Sequence, residues 1–188
     1  MSRDTRSSSS DASSFSSSAM TQHDAAQHEH GYCPVCGAEM LPDGGPSNLP
    51  HCPRCSYVRW SNPKVGAGVV AERDGRILLI RRNHEPMMGK WSFPSGFVDG
   101  GEVVEEAAAR EAREEANVEV RIDSLLGVYS TAGDPVVFVA YAATITAGEP
   151  TPGDEAYEVG LFALDALPDL AFPHDQRIVD AWRQHTGR

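Results

Sequence analysis

Acidic residues are concentrated in residues 102–115 of this 188-residue chain. The alanine and glutamate content of this segment predicts a helix over Val103–Ala116. The charged residues of interest are Glu102, Arg110, Glu111, Glu114 and Glu115. Projected at about 100° per residue from Glu102, the last three glutamates fall near 180°, 120° and 220°. The small apolar residues of the helix fall on the same side, so the three carboxylates are expected on the face that packs inward.

Three inward-facing carboxylates need a compensating charge. Acids within two turns of a helix repel one another, and burying them unpaired costs free energy. A divalent cation removes that cost, and ligation by oxygen atoms alone is typical of Mg²⁺ or Mn²⁺. The alternative is a solvated helix with ordinary ion pairs, but its acids would then avoid the apolar side. The pattern favours a divalent metal site.

The four cysteines form a second candidate metal site. Cys33 and Cys36 make one CxxC pair, Cys52 and Cys55 make another, and fifteen residues separate the pairs. This spacing is typical of structural zinc sites and rare in disulfide-bonded secreted proteins. The sequence therefore predicts Zn²⁺ bound by all four thiolates, in a reducing compartment, most simply the cytoplasm.

The acidic helix and the loop before it resemble the signature of the Nudix hydrolases. The matching positions, at the signature's spacing, are Gly96, Glu102, Arg110, Glu111, Glu114, Glu115 and Val118. Two positions differ, because Ala112 replaces a bulkier aliphatic residue and Asn117 replaces the glycine that ends the helix. Asparagine is the next-best residue for a left-handed helix end, so the turn is expected to survive.

The resemblance implies a role for each matching residue. Glu111, Glu114 and Glu115 would hold Mg²⁺ or Mn²⁺ together with the backbone carbonyl of Ser95. Glu102 and Arg110 would form a buried ion pair that orients the loop and the helix. The reaction would be hydrolysis of a phosphoanhydride bond in a small nucleotide substrate.

The resemblance leaves the general base open between a glutamate of the signature and one on a later loop. Glu155 and Glu158 lie before a predicted strand, where either could be that base, a further metal ligand or an ordinary loop acid. Candidate substrate contacts are Arg81 and Arg82, which follow a predicted strand and offer forked donors to phosphate. Gly96 and the aromatic Phe97 complete this set of candidates.

A zinc ribbon before a Nudix domain is similar to the arrangement in NADH pyrophosphatases and related hydrolases of NAD, FAD or ADP-ribose. Members that act on NADH carry a Ser-Gln-Pro-Trp motif after the signature, and Gly127–Pro135 occupies that region here. A proline shortly after the signature is associated with ADP-ribose hydrolysis, and Pro135 lies near that place. An enzyme that removes damaged nucleoside triphosphates is a further reading that the signature allows.

The elements that must position these residues are predicted from hydrophobic periodicity. Strands are expected over residues 65–71, 76–80, 118–122, 125–130, 136–145 and 157–163, with an Asp74-Gly75 hairpin turn. A closing helix is expected from His174 to His185. The fold class is α+β, a mixed sheet sandwiched between helices and preceded by a small zinc ribbon. The expected domains are a low-complexity tail over 1–29, the ribbon over 30–60 and the hydrolase domain over 61–188.

Charge and hydropathy limit the partners. The net charge of -11 disfavours binding to nucleic acids, and no apolar run approaches the length of a membrane span. A homodimer is compatible with the sequence. The competing functional hypothesis is a regulator in which the ribbon binds nucleic acid and a Nudix-like domain senses a ligand.

Overall fold

The computed structural model describes residues 31–187. These residues divide into a unit that ends at Ser61 and a unit that begins at Asn62. The predicted tail over 1–29 lies outside the described residues. None of the described helices is long and apolar enough to cross a membrane.

The first unit is built around two cysteine turns. In one turn the Gly37 N–H donates to the Cys33 carbonyl at 2.9 Å, and in the other the Arg54 N–H donates to Cys52 Sγ at 3.4 Å. Each turn ends in a left-handed residue directly after its second cysteine, at Gly37 with φ 69° and Ser56 with φ 62°. A short 3₁₀ helix, Pro46–Asn48, lies in the loop between the turns. Buried Met40 and the cysteines provide nearly all of the unit's small core.

The second unit has seven strands and two helices. The strands are β1 (Lys64–Arg73), β2 (Arg76–Arg82), β3 (Trp91–Ser92), β4 (Ser95–Phe97), β5 (Glu119–Ser130), β6 (Val136–Ala147) and β7 (Ala156–Phe162). The helices are α1 (Val104–Ala116) and α2 (Asp175–Thr186). Acidic residues in the first turn of α1 and Arg113 in its last turn complement the helix dipole.

The strands form one mixed sheet in the order β3-β2-β1-β6-β5, with β4 paired to β1 and β7 paired to β2. Only the β1–β6 pair is parallel among the strands described. The β1–β2 hairpin turns at Asp74 and Gly75, both with positive φ, and opens after two residue pairs. Because the hairpin opens, β4 can pair with the first half of β1. The cavity described below lies beside β4.

Each face of the sheet is covered by one helix. Alternate residues of β1 and β2 pack on the alanines of α1, and the residues between them pack on Ile178, Val179 and Trp182 of α2. This alternation is the period of two expected for strands buried on both faces. The predicted class, a mixed sheet between helices, is confirmed.

Two features of the sheet differ from prediction. The strands expected at 118–122 and 125–130 are one strand, β5, which stays paired with β6 through register shifts between Ile122 and Ser124 and between Leu125 and Gly127. The irregular residues break the alternation of polar and apolar positions, so the sequence suggests a gap. Strands β3 and β4 are too short for periodicity to reveal.

Candidate active site

A cavity of about 1080 Å³ opens in the second unit, beside β4 and α1. Its wall is formed by β4, α1, residues 152–155, the end of β2 and the start of α2. A volume of this size accommodates a nucleotide-sized ligand. The cavity therefore gathers segments that are far apart in the sequence.

Strand β4 can approach α1 closely because Gly96 has no side chain. A Cβ added at Gly96 would overlap the carboxylate of Glu111. The same strand pairs with β1 at Gly68, where an added Cβ would lie 2.8 Å from the Pro94 carbonyl oxygen. Gly96 thus lets the backbone of β4 lie directly against the acidic face of α1, and Gly68 lets it lie close to β1.

Glu115 is the most buried carboxylate of α1, with 2% of its surface exposed. The Ser95 N–H donates to its Oε2 at 2.7 Å, while its Oε1 has no hydrogen-bond partner in the described part of the chain. Burial raises the pKa of Glu115 to about 8, and the charges of Glu111 and Glu155 act in the same direction. A buried carboxylate oxygen without a donor is a site that a cation would stabilise.

Arg110 holds the neighbouring carboxylates of the helix. Its Nη1 donates to Glu111 Oε1 at 2.7 Å and to Glu114 Oε2 at 2.9 Å. Burial raises the pKa of Glu111 against the opposing effect of Arg110, and the charges of Glu114 and Glu155 raise it further. The guanidinium therefore neutralises part of the charge that the helix brings to the cavity.

Arg110 and Glu102 form the ion pair that the family resemblance implies, although the pair is half-buried, with side chains 26% and 18% exposed, and not buried as expected. Arg110 Nε and Nη2 donate to the two oxygens of Glu102 at 2.8 and 3.0 Å, a bidentate geometry. The Asp99 N–H also donates to Glu102, at 3.0 Å. The bonds from Arg110 and Asp99 lower the pKa of Glu102 to about 2. Because Arg110 Nη2 also donates to the Phe97 carbonyl, the pair links β4 and the loop after it to α1.

Glu114 does not pack inward as predicted. Its side chain is 57% exposed, whereas the buried positions of α1 include Ala112 and Ala116. The buried face is therefore centred farther round the helix than the projection from Glu102 suggests, and Glu114 lies at its edge, on the rim of the cavity. Glu111 and Glu115 are the two carboxylates of α1 that the fold buries.

The donor set fits a hard divalent cation. The candidate ligands that α1 and the Ser95 carbonyl offer are all oxygen atoms, and Glu115 Oε1 is buried without a hydrogen-bond partner among residues 31–187. The only group of three or more His, Cys, Asp or Glu side chains within residues 31–187 whose ligand atoms all lie within 4.8 Å of one another is the cysteine group. Glu111, Glu114 and Glu115 do not form such a group, so a cation bound by all three would require their side chains to move closer together, while Arg110 holds only one oxygen each of Glu111 and Glu114.

Of the two arginines at the end of β2, only Arg82 reaches the cavity. Arg81 pairs with Glu158 of β7 at 2.6 Å and lies outside the cavity lining. Arg82 is 6% exposed, and its Nε donates to the Pro86 carbonyl at 2.9 Å while its Nη2 lies 2.8 Å from His84 Nε2. Burial lowers the pKa of Arg82, while the charge of Glu115 opposes that effect. A buried guanidinium therefore lies close to the α1 carboxylates.

Of the two candidate glutamates that come later in the sequence, Glu155 lines the cavity and Glu158 does not. Glu158 forms the ion pair with Arg81, and neither residue lines the cavity. Glu155 lines the cavity, with a side chain that is 66% exposed and an Oε2 that lies 3.8 Å from His84 Nε2. Its charge raises the pKa of both Glu111 and Glu115. Glu155 is therefore the later acid that the fold brings to the cavity, near the carboxylates of α1.

The aromatic residues of the cavity differ in their openness. Phe97 is 52% exposed, and Lys64 Nζ lies 5.1 Å from the centre of its ring. Phe172, His174 and Phe138 form a stack, with His174 between the two phenylalanines at 5.5 and 5.1 Å. Arg82 Cζ lies over the Phe172 ring, 5.2 Å from its centre. Sequence reasoning does not identify Phe172 and His174 as site residues. Their proximity in the sequence, just before the closing helix, is the feature that could have indicated them.

The cysteine group lies in the first unit. Cys33 Sγ is 3.5 Å from Cys55 Sγ, and Cys36 Sγ is 3.5 Å from Cys52 Sγ. Tetrahedral Zn–S bonds of about 2.3 Å place sulfur atoms about 3.8 Å apart, close to this spacing. All four cysteines are free thiols, and the arrangement fits a zinc ion with no open coordination position.

Comparison with known proteins identifies related sequences over most of the chain. The family described as the NUDIX domain matches residues 62–182. An ADP-ribose pyrophosphatase from Methanocaldococcus jannaschii is 40% identical over 135 residues, which cover 70% of this chain and 80% of that relative. A NAD-capped RNA hydrolase NudC from Chromobacterium violaceum is 32% identical over 148 residues, which cover 78% of this chain and 55% of that relative. The chain thus spans about half the length of the NudC relative.

Solved structures resemble the fold as well. A Nudix hydrolase from Nitrosomonas europaea superposes with a TM-score of 0.76 at 32% identity, covering 84% of this chain and 94% of that structure. An ADP-ribose pyrophosphatase from Streptococcus suis superposes with a TM-score of 0.56 at 26% identity, covering 65% and 93%. Sequence and structural similarity therefore point to the same group of proteins.

Proposed function

This chain belongs to the Nudix hydrolase family, and we propose that it hydrolyses the phosphoanhydride bond of nucleoside diphosphate-linked compounds with Mg²⁺ or Mn²⁺. The observation that carries this proposal is Glu115, a buried carboxylate at the wall of a large cavity, beside Glu111, with one oxygen that has no hydrogen-bond partner within residues 31–187. Family members generally use divalent metals, and the oxygen donors of this wall suit them. The reaction would release two phosphate esters, for example AMP and ribose 5-phosphate from ADP-ribose.

ADP-ribose is the substrate that the comparisons favour. The relative named ADP-ribose pyrophosphatase is the more similar of the two and is covered over 80% of its length, against 55% for the NudC relative. The net charge of -11 also opposes recognition of a long RNA. Phe97, which lines the cavity and is 52% exposed, is the candidate platform for a base.

The metal ligands would be Glu111, Glu114, Glu115 and the carbonyl of Ser95. Bound Mg²⁺ or Mn²⁺ would neutralise the diphosphate and lower the pKa of a water molecule. Glu155, exposed at the cavity rim, would accept the proton of the attacking water. The Glu102–Arg110 pair would hold β4 and α1 in register, so that the Ser95 backbone stays at the acidic face.

Arg82 would bind the diphosphate, because it is a buried cation beside the carboxylates of the cavity. We expect Arg82→Lys to lower kcat/KM by roughly tenfold to a hundredfold, or about 1.4 to 2.8 kcal/mol of transition-state stabilisation. Lysine keeps the charge but loses the fork that binds two phosphate oxygens. Steady-state kinetics on ADP-ribose measure the effect.

Arg81→Lys provides the matched control for Arg82. Arg81 is the adjacent residue of the same strand, and its guanidinium pairs with Glu158 outside the cavity. Its substitution should leave kcat/KM unchanged. Equal effects of the two substitutions would contradict a specific role for Arg82.

The proposed activity is tested with a substrate panel. The full chain is incubated with ADP-ribose, NADH, FAD, a 5′-NAD-capped RNA and an oxidised nucleoside triphosphate, each with Mg²⁺ or Mn²⁺, and products are separated chromatographically. We expect turnover of ADP-ribose to exceed that of the others. Failure to cleave any compound, with metal binding demonstrated by calorimetry, would overturn the proposal.

The competing hypothesis of a nucleic-acid-binding regulator has less support. A ligand sensor does not require the full set of signature carboxylates. The chain has a net negative charge of -11, which does not attract nucleic acid. A gel-shift experiment at moderate salt tests it directly. Sequence-specific binding would favour the regulator.

The four cysteines support a proposal for a zinc site and for the cellular location. We infer that Cys33, Cys36, Cys52 and Cys55 bind a structural Zn²⁺, since two of their sulfur pairs lie 3.5 Å apart and all four sulfur atoms lie within 4.8 Å of one another. Free thiols of this kind favour the reducing cytoplasm as the location. The proposed partners are small nucleotides, and the proposed assembly is a monomer or a homodimer.

A further inference from the structure

Asn117 replaces the glycine that ends the signature helix in relatives of this family. It has φ 54° and ψ 36°, the left-handed conformation that glycine adopts most readily, and its N–H donates to the Arg113 carbonyl at 3.0 Å. Asparagine tolerates this conformation, so the backbone alone gives no advantage over glycine. The side chain of Asn117 therefore needs a separate explanation.

The side-chain amide of Asn117 is directed at the segment over residues 151–155. Its Nδ2 donates to the Thr151 carbonyl at 3.1 Å and to the Pro152 carbonyl at 3.4 Å. An amide nitrogen has two hydrogens, so these two carbonyls use its donor capacity. The side chain thus joins the end of the metal-binding helix to the segment that carries Glu155.

The last turn of α1 holds the same segment through backbone bonds. The Thr151 N–H donates to the Ala116 carbonyl at 3.1 Å, and the Gly153 N–H donates to the Glu115 carbonyl at 2.9 Å. A Cβ added at Gly153 would overlap the Glu114 carbonyl oxygen, so only glycine fits. Carbonyls that a helix end leaves unpaired are here satisfied by the segment.

Asn83, at the end of β2, holds the other end of the segment. Its Nδ2 donates to the Asp154 carbonyl at 2.7 Å, and its N–H donates to the Glu155 carbonyl at 3.2 Å. Glu155 therefore follows a stretch of backbone that is fixed by one asparagine amide at each end. Its carboxylate, at 66% exposure, has few contacts of its own to fix it.

We propose that Asn117 is a positioning residue that fixes the 151–155 segment against α1 and thereby places the Glu155 carboxylate at the reacting water. This inference rests on the proposed function, in which Glu155 accepts the proton. It also explains the departure from glycine, because glycine would end the helix equally well and would leave the segment without its side-chain bond.

The test is Asn117→Gly in the full chain. Glycine is the residue best suited to a left-handed helix end, so a purely structural role predicts unchanged stability and unchanged activity. A positioning role predicts a kcat lower by roughly tenfold to a hundredfold, because small displacements of a reacting group have effects of that size. KM for ADP-ribose and the affinity for Mn²⁺ should stay near the wild-type values, whereas direct substrate binding by Asn117 would raise KM.

Two further variants make the interpretation specific. Asp74→Gly is the matched control, since Asp74 also has positive φ, at 55°, but lies in the β1–β2 turn outside the cavity lining, and its kcat should not change. In a Glu155→Gln background, Asn117→Gly should lower kcat little further, because both changes act on the same proton transfer. Independent, multiplying effects would overturn the proposal.

Amide hydrogen exchange of the segment provides a measurement that needs no substrate. Exchange at Thr151 and Gly153 should accelerate in Asn117→Gly and stay unchanged in Asp74→Gly, because the backbone bonds of the segment open more often without the side-chain bond. If exchange accelerates but no compound is hydrolysed by the wild type, the proposed function fails and the structural coupling stands. Unchanged exchange, or a wild-type kcat in Asn117→Gly, would refute the role of Asn117.

Discussion

Glu115→Gln is expected to reduce kcat for ADP-ribose hydrolysis by at least about a thousandfold while the protein stays folded. Removing one hydrogen-bond donor that stabilises a transition state already costs about a hundredfold to a thousandfold, and a carboxylate that ligates the metal should contribute more. Glutamine has nearly the same shape and still accepts the Ser95 N–H through its oxygen. The loss should therefore be one of charge, with the packing around α1 preserved. Single-turnover kinetics and Mn²⁺ titration measure it.

The pH dependence of stability separates loss of charge from loss of fold in this experiment. The folded-state pKa of Glu115 is raised to about 8 from an ordinary 4.5, so ionisation of this group opposes folding. In the metal-free protein its contribution to stability is present below about pH 4.5 and is lost as the pH rises through about 8. Glu115→Gln cannot ionise and should have a higher Tm than the metal-free wild type at pH 8 to 9. A lower Tm at that pH would indicate that the substitution damages the fold.

Glu158→Gln is the matched control for Glu115→Gln. Glu158, like Glu115, is a glutamate of the second unit, but it pairs with Arg81 outside the cavity. Its substitution should leave both kcat and the affinity for Mn²⁺ unchanged. Retention of more than a tenth of the wild-type kcat in Glu115→Gln would contradict the assignment of Glu115 as a metal ligand.

Removal of zinc is expected to unfold the unit that ends at Ser61. Its core consists of Met40, the cysteines and a few half-buried neighbours, which is too little apolar surface to offset the entropy of ordering the chain. Binding of Zn²⁺ by a small domain of this kind contributes about 10 to 16 kcal/mol near pH 7. A zinc-selective chelator, added with Mg²⁺ in excess, should collapse the NMR amide signals of residues 33–58 to unfolded positions.

The second unit should behave differently in the same experiment. It has two hydrophobic cores of its own, built on α1 and α2, so the signals of residues 64–186 should persist. Cys52→Ser should reproduce the effect of the chelator and should lower the zinc content, while readdition of Zn²⁺ should restore the wild type only. Persistence of the signals of residues 33–58 after complete loss of zinc would show that the ribbon folds without metal.

Local sequence determined the chemistry of this protein. The helix of the signature, its end at Asn117 and the turn at Asp74-Gly75 follow from the preferences of neighbouring residues, which need no distant partner. The cysteine spacing likewise predicts the sulfur group that the structure contains. Such patterns are reliable because the residues within the helix, within the turn or within each CxxC pair are only a few positions apart in the sequence.

The tertiary structure decided which of two similar residues faces the cavity. Arg81 and Arg82 are adjacent on β2, and successive strand residues point to opposite faces, so only the position of the sheet in the fold selects Arg82. Glu155 precedes β7, which begins at Ala156, and lines the cavity, whereas Glu158 lies within β7 and pairs with Arg81. The sequence offered both members of each pair and no means to choose between them.

The same holds for the face of α1 and for the opposite wall of the cavity. The projection from Glu102 included Glu114 on the packed side, but the line along which β1 and β2 contact the helix buries Ala112 and Ala116 and leaves Glu114 at the rim. Phe172 and His174 reach the cavity because α2 packs on the far face of the sheet with its first residues beside β6. The sequence alone thus determined the acids, the thiols and the reaction they support, because spacing along the chain is sufficient for these. The choice of Arg82, Glu155 and the aromatic wall required the folded sheet, because burial and direction depend on contacts between residues far apart in the chain.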